Sequence, residues 1–312
     1  MKVFFRYTMI VFSSLLLVQC GSNKSWQIKK DLLHYNIEWG DRERSFYLYV
    51  PKRIKKSPPV LFCLHGGGGN GPNTASLTNG KFNEIAEREG FIVVYPEGIE
   101  KQWNDGRKGD QVTSWKENID DVGFLSEVVD WLDSAYSIDR NEVFTSGMSN
   151  GGFMSNRLIC DRSDLFKGAA VITASMSLDY LPKCNPSNSV SLIVINGTDD
   201  PLVPYNGGSI KVLGKERGNV MSTSDYMDFW KSKNQCSVQH EAQKLEDKAD
   251  DGTEISVTRY SDCANSSQLI LYTVEGGGHT WPGGKQYLGE RLIGKTSQEF
   301  NACELIWDFF AL

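Results

Sequence analysis

Apolar positions along the chain fall into two rhythms. Continuous apolar runs at 58–64, 91–95, 143–146, 169–173, 192–195 and 269–274 are bounded by Gly, Pro, Asn and Asp. Runs of that length between turn residues predict strands buried on both faces. Between them, residues 82–88, 120–136, 149–160 and 224–233 carry the wider spacing of amphipathic helices. Asp120 and Asp121 place acid at the start of one of these helices, where the helix dipole favours it. Thr296-Ser297-Gln298-Glu299 reads as a capping box opening a last helix that runs to Phe310. Residues 32–39 and 44–50 read as a strand pair turning at Gly40-Asp41. The alternation predicts an α/β fold: a mostly parallel, twisted sheet with helices on both faces and an antiparallel pair at one edge. Residues 96–118 form a long polar loop carrying Trp103 and Trp115; loops of that length in compact domains are functional or disordered.

The first twenty residues are a separate object. Lys2 and Arg6 precede an apolar run at 7–18 that is too short to span a bilayer as a helix, which marks an export signal. Leu17-Val18-Gln19-Cys20-Gly21 resembles the bacterial lipoprotein box, with Cys20 the lipidated residue and Gln19 standing where that motif prefers a small residue. The expected organisation is a lipoprotein signal at 1–20, a tether at 21–31 and one catalytic domain at 32–312, exported and lipid-anchored at the cell envelope. Export implies oxidising conditions for the other six of the seven cysteines. Position suggests the pairs Cys160–Cys184 and Cys236–Cys263, with Cys63 and Cys303 as buried free thiols.

Composition narrows the partners. With 312 residues and 40% apolar content the chain can bury one large core. A net charge of -6 argues against a nucleic-acid partner, which would require a basic face.

The chemistry-bearing residues cluster at strand ends. Gly147-Met148-Ser149-Asn150-Gly151 matches G-x-S-x-G between a predicted strand and a predicted helix, the context of a nucleophile elbow. A serine hydroxyl needs a base oriented by a third group. Of the four histidines, two follow Ser149. His240 sits among charged residues in a predicted hairpin, whereas His279 lies in a glycine-rich loop directly after an apolar strand. The acid should leave an intervening strand, where Asp199 and Asp200 both stand; Asp200 is favoured because its Gly-x-x-Asp-x-x-Val-Pro spacing resembles the acid loop of many enzymes with such a fold. The oxyanion donors expected are the backbone amides of Asn150 and of Gly67 in His65-Gly66-Gly67-Gly68-Gly69.

Two other matches imply different chemistry. Gly66-x-Gly68-x-x-Gly71 spells the dinucleotide fingerprint, but Pro72 and Asn73 argue against the immediate helix that it needs. Gly289-x-x-x-x-Gly294-Lys295-Thr296 spells a phosphate loop, but no buried strand precedes it. No nucleotide, metal or other cofactor is expected.

In ordered set, Leu64–Asn70, 118–124, 146–152, 196–205 and 277–283 resemble the poly(3-hydroxybutyrate) depolymerase-like and feruloyl esterase family of carbohydrate esterases, of α/β-hydrolase fold. The resemblance covers most of the chain from about residue 40. It implies Ser149, Asp200 and His279 as a catalytic triad, and Trp281 near the acyl or aromatic part of the substrate. Asn196 stands where the family often has histidine. The implied function is hydrolysis of feruloyl or acetyl esters on plant polysaccharide fragments. The alternatives are hydrolysis of soluble 3-hydroxybutyrate oligoesters and a catalytically silent sugar-binding lipoprotein; a peptidase would require a gating domain for which there is no sequence signal.

Overall fold

A computed structural model describes residues 24, 25 and 27–311. Cys20 and the apolar leader lie outside the described residues. The strands are β1 (Leu33–Trp39), β2 (Arg42–Tyr49), β3 (Val60–Leu64), β4 (Ile92–Pro96), β5 (Val143–Met148), β6 (Gly168–Ile172), β7 (Ser191–Gly197), β8 (Gly208–Val212), β9 (Lys215–Val220), β10 (Val238–Gln239), β11 (Gln243–Lys244), β12 (Glu254–Ser261) and β13 (Leu269–Glu275). The main helices are α1 (Gly71–Leu77), α2 (Lys81–Glu89), α3 (Asp121–Tyr136), α4 (Asn150–Asp161), α5 (Thr223–Lys233) and α6 (Ala302–Phe310). The large sheet runs β1-β2-β4-β3-β5-β6-β7-β13-β12-β10, with β11 also on β12. Its centre, β4 to β13, is parallel. It is antiparallel at both edges, not one, because β12 and the short β10 and β11 return beside β13.

The continuous apolar runs have a direct cause. On β3, Val60, Phe62 and Leu64 join one core with α3 and α4, while Leu61 and Cys63 join the core on the opposite face with α2 and α6. Period-two alternation sends neighbours to opposite faces, and both faces are dry. Phe310 stacks on Phe144 at 4.4 Å and Trp307 on Phe91 at 3.5 Å between ring centroids, which seats the last helix against the sheet.

Several expectations are corrected. The last helix starts at Ala302, capped by the Asn301 side chain on the amides of Cys303 and Glu304. Thr296–Glu299 stays in the loop, and the Glu299 carboxylate accepts from the amides of Lys248 and Ala249 at 2.8 Å each. Helix α1 begins immediately after Asn70, whose side chain accepts from Asn73 N at 2.8 Å. Pro72 sits in its first turn, where no intrahelical N–H is needed. The segment expected as a tether is docked in its described part. Ser25 and Ser76 hydroxyls lie 2.6 Å apart, Lys29 donates to Asn73 at 2.6 Å, and Ile28 packs against Gly80.

Disulfides join Cys160 to Cys184 and Cys236 to Cys263. Cys63 and Cys303 are buried free thiols, and burial pushes the Cys63 thiol up to about 12. Each bond closes a loop of modest length, with sequence separations of 24 and 27. Replacing Cys160 and Cys184 by serine is expected to cost about 3 kcal/mol, read as a lower urea midpoint with a somewhat steeper slope as the unfolded chain expands. Equal midpoints with and without reductant would remove the structural role of both bonds.

Candidate active site

Strands β5, β7 and β13 run parallel, so their C-terminal ends share one edge of the sheet. Ser149, Asp200 and His279 follow those three ends. Ligands and reacting groups of open α/β sheets gather at this edge.

Ser149 is the hinge between β5 and α4. Its φ of 57° and ψ of -122° lie where a non-glycine residue is strained. The backbone holds it there: Ser149 N donates to Ile172 O, and Phe153 N donates to Ser149 O, both at 2.9 Å. The flanking glycines are sterically required. A Cβ on Gly147 would run into the backbone of Gly151, and one on Gly151 into the carbonyl oxygens of Leu64 and His65. Helix α4 therefore crosses β3 at backbone contact, which leaves the Ser149 side chain half-buried at the sheet edge.

His279 and Asp200 form a buried pair. His279 Nδ1 lies 2.7 Å from Asp200 Oδ2, with side-chain exposures of 4% and 2%. The other carboxylate oxygen of Asp200 accepts from the amides of Leu202 and Val203 at 2.8 and 2.9 Å. Asp199 is exposed, and among the described residues its side chain accepts a hydrogen bond only from the Thr198 hydroxyl. The two loops are laced together by Thr198 N to Val274 O, Asp199 N to Gly277 O and Gly276 N to the Thr198 hydroxyl. The His279 backbone is clamped in turn, its amide donating to Ile293 O at 2.5 Å and its carbonyl accepting from the Tyr287 hydroxyl at 3.0 Å. Segment 285–295, which holds most of the phosphate-loop pattern at 289–296, is thus a brace over His279. Lys295 itself reaches Gly252 O at 3.2 Å.

The expected bond between His279 and Ser149 is not formed; the Ser149 hydroxyl has no hydrogen-bond partner among the described residues. Such bonds are commonly long without substrate and tighten in the Michaelis complex. Gly66 lies beside the serine: a Cβ there would be 3.7 Å from Ser149 Cβ. Neither the Gly67 nor the Asn150 amide donates to a backbone or side-chain acceptor among the described residues.

The placement of Trp281 corrects the expectation of a substrate contact. Its side chain is 1% exposed in the core, edge-on to Phe82 at 5.9 Å. His240 is bonded elsewhere, just after edge strand β10, where its Nε2 lies 3.0 Å from the Ser261 hydroxyl. Asn196 ties β6 to α5, bonding both backbone groups of Ala174 and the Thr223 hydroxyl.

Residues outside the motifs complete the site. The Asn150 side chain accepts from Trp103 N at 2.8 Å and donates to Trp103 O and to Asp105 Oδ2 at 3.1 and 2.6 Å. Asp105 pairs with Arg107, which lies between the rings of Trp115 and Phe153 at 4.6 and 4.5 Å. Asp121 takes Arg44 and the Asn104 amide, both at 2.6 Å. Loop 96–118 is therefore a buried polar girder beneath the elbow. Its available sequence signal was the density of Trp, Asn, Asp and Arg in a loop too long to be a connection. At the other glycine-rich match, Glu97 accepts from Gly71 N at 2.9 Å, occupying the amide a pyrophosphate would need.

The prolyl oligopeptidase family matches residues 84–184, about a third of the chain, which includes the elbow but neither Asp200 nor His279. NocK of Nocardia uniformis subsp. tsuyamanensis, named as a candidate esterase, is 26% identical over 278 residues, 86% of this chain and 79% of its own length. Feruloyl esterase B of Piromyces equi is 26% identical over 74% of this chain, which spans only 41% of that protein. Among solved structures, an acetyl xylan esterase from Aspergillus awamori superposes with a TM-score of 0.53 at 17% identity, covering 80% of this chain and 94% of that one. The chain has the α/β-hydrolase fold, is similar to the feruloyl and acetylxylan esterases, and is a carboxylic ester hydrolase.

The glycine-rich loop carries a built-in pH dependence. His65 Nδ1 donates to Gly66 O at 2.8 Å, so Nε2 must be the unprotonated nitrogen that accepts from Gly98 N at 3.0 Å. Burial, with Lys101 adding to it, pushes its pKa from 6.5 down to about 4. The unfolded chain binds this proton more readily than the folded one. Stability is therefore whole above pH 6.5 and falls progressively toward pH 4, by about 3 kcal/mol in total. His65→Gln should be less stable at pH 7 yet lose less between pH 6.5 and 4, measured by urea unfolding across that range. An unchanged acid slope would show that other groups carry it.

Proposed function

We propose that the domain at 32–312 is an exported serine esterase in which Ser149, His279 and Asp200 act as the triad. The reading is carried by one observation: a buried His279–Asp200 pair at 2.7 Å, on the same sheet edge as a serine held at positive φ. With Nδ1 engaged by the carboxylate, Nε2 is left to take the Ser149 proton. The Ser149 oxygen then attacks the ester carbonyl, and the negative charge that develops meets the amides of Gly67 and Asn150. Collapse expels the alcohol, which receives the proton from His279, and leaves an acyl-serine. Water activated by the same histidine releases the acid. Asp200 is favoured over Asp199 because it is the carboxylate that faces the ring. The triad needs no cofactor for this chemistry.

The names of the relatives point to feruloyl or acetyl esters on plant polysaccharide fragments as substrates. Methyl ferulate, acetylated xylan and a 3-hydroxybutyrate dimer, assayed side by side, separate these acyl classes; turnover of the dimer alone would favour the oligoester reading. Ser149→Ala, His279→Ala and the double variant should each lose a similar factor in kcat, about 10⁴–10⁶, since the residues act as a unit. Asp200→Asn should lose less, and Asp199→Asn little. Multiplicative losses, or activity surviving Ser149→Ala on every ester, would sink the mechanism.

The apolar leader ending at Cys20 supports lipid anchoring at the cell envelope. The mature protein should partition into detergent, and Cys20→Ser should release it or stall its processing. A freely soluble mature protein starting elsewhere would exclude the anchor.

A further inference from the structure

Segment Lys101-Gln102-Trp103 is tied to the chain beside both amides assigned to the oxyanion. Gly68 N donates to Lys101 O at 2.9 Å, beside Gly67, and Trp103 N donates to the Asn150 side chain at 2.8 Å. Between these two ties stands Gln102. Its own amide nitrogen donates to Ile99 O at 3.0 Å, which fixes its backbone. Its side chain lies across the Cα face of Gly67: a Cβ on Gly67 would meet Gln102 Oε1 at 2.9 Å and Nε2 at 3.0 Å. That carboxamide is half-buried and has no hydrogen-bond partner among the described residues. Its neighbours in the girder, Trp103, Asn104 and Asp105, are all bonded. A carboxamide on a fixed backbone, left unpaired beside the free Gly67 amide, is available to a ligand.

We propose that Gln102 is a further catalytic residue, its Nε2–H donating to the ester oxygen that becomes the oxyanion, alongside Gly67 and Asn150. The proposal rests on the serine-esterase reading. Since the carbonyl oxygen gains its charge only as the tetrahedral adduct forms, the bond is worth more in the transition state than in the Michaelis complex. Gly67 then has two functions: its amide faces the oxyanion, and its missing side chain leaves room for the Gln102 carboxamide.

The test is steady-state hydrolysis of 4-nitrophenyl acetate by the full-length mature protein, with Ser149→Ala as the blank. Gln102→Ala should lower kcat by about 10–100-fold with KM nearly constant, and should weaken binding of a boronic acid, which forms a tetrahedral adduct on serine, by a similar factor. Gln102→Leu, which keeps bulk without a donor, should match it. Gly67→Ala retains the peptide N–H but evicts the carboxamide, so it should resemble Gln102→Ala, and the two losses should not multiply in the double variant. Thermal midpoints near wild type show that these effects are not unfolding, as expected for a side chain with no bond to the protein. Unchanged kcat in both Gln102 variants, or a change confined to KM, overturns the assignment while leaving the esterase reading intact. Absence of Ser149-dependent turnover in the wild type overturns both.

Discussion

The whole site depends on one close approach, the crossing of helix α4 over β5 and β3 at Ser149. Gly147 and Gly151 bring backbone against backbone there, and no side chain fits between them. That contact forces the serine into positive φ, and strain of this kind persists only where the surroundings over-determine it. Here the determinants are ladder bonds on both sides of β5 and the first turn of α4. The strain has a geometric return. It leaves the Ser149 side chain half-buried at the sheet edge.

A nucleophile placed this way is useful only if its surroundings are equally stiff. Under the elbow, loop 96–118 buries Asp105, Arg107, Asp121 and Arg44, a costly set of charges in a dry region. Each is matched: Asp105 by Arg107 and Asn150, Asp121 by Arg44 and the Asn104 amide. A network with all its members satisfied rigidifies rather than weakens a core. Its hub is the Asn150 side chain, so the residue that follows Ser149 also fastens the loop that carries Gln102.

The histidine side is braced by different means. Its loop is glycine-rich, which lets it run close to the acid loop, and beyond Trp281 it has few side chains to pack. Gly197 and Gly278 allow these contacts, since a Cβ on either would strike the neighbouring backbone at Gly277 or Ile293. Segment 285–295 supplies the missing support through Ile293 O and the Tyr287 hydroxyl. Deep burial of the His279–Asp200 pair keeps the carboxylate bonded to the ring and to two amides rather than to water.

Much of this was legible in the chain itself. Apolar runs flanked by turn residues determined the parallel sheet, because strands covered on both faces cannot alternate. The elbow, the acid loop and the glycine-rich histidine loop were readable because each needs particular residues at fixed spacing. Boundaries set by competing local signals were not. Thr296–Glu299 has the letters of a capping box, yet Asn301 caps the last helix, since where the chain leaves its loop depends on contacts with residues 248–251 and 282. Asp199 and Asp200 could be ranked by spacing, but only the fold turned one to the ring and left the other in water. Trp281 carries an aromatic ring beside the histidine in sequence, and only packing against Phe82 decided that it faces inward. The girder's anchoring to Asn150 and Arg44, and the seat of Gln102 against Gly67, belong to the tertiary structure alone, because contacts tens of residues apart leave no periodicity in the sequence.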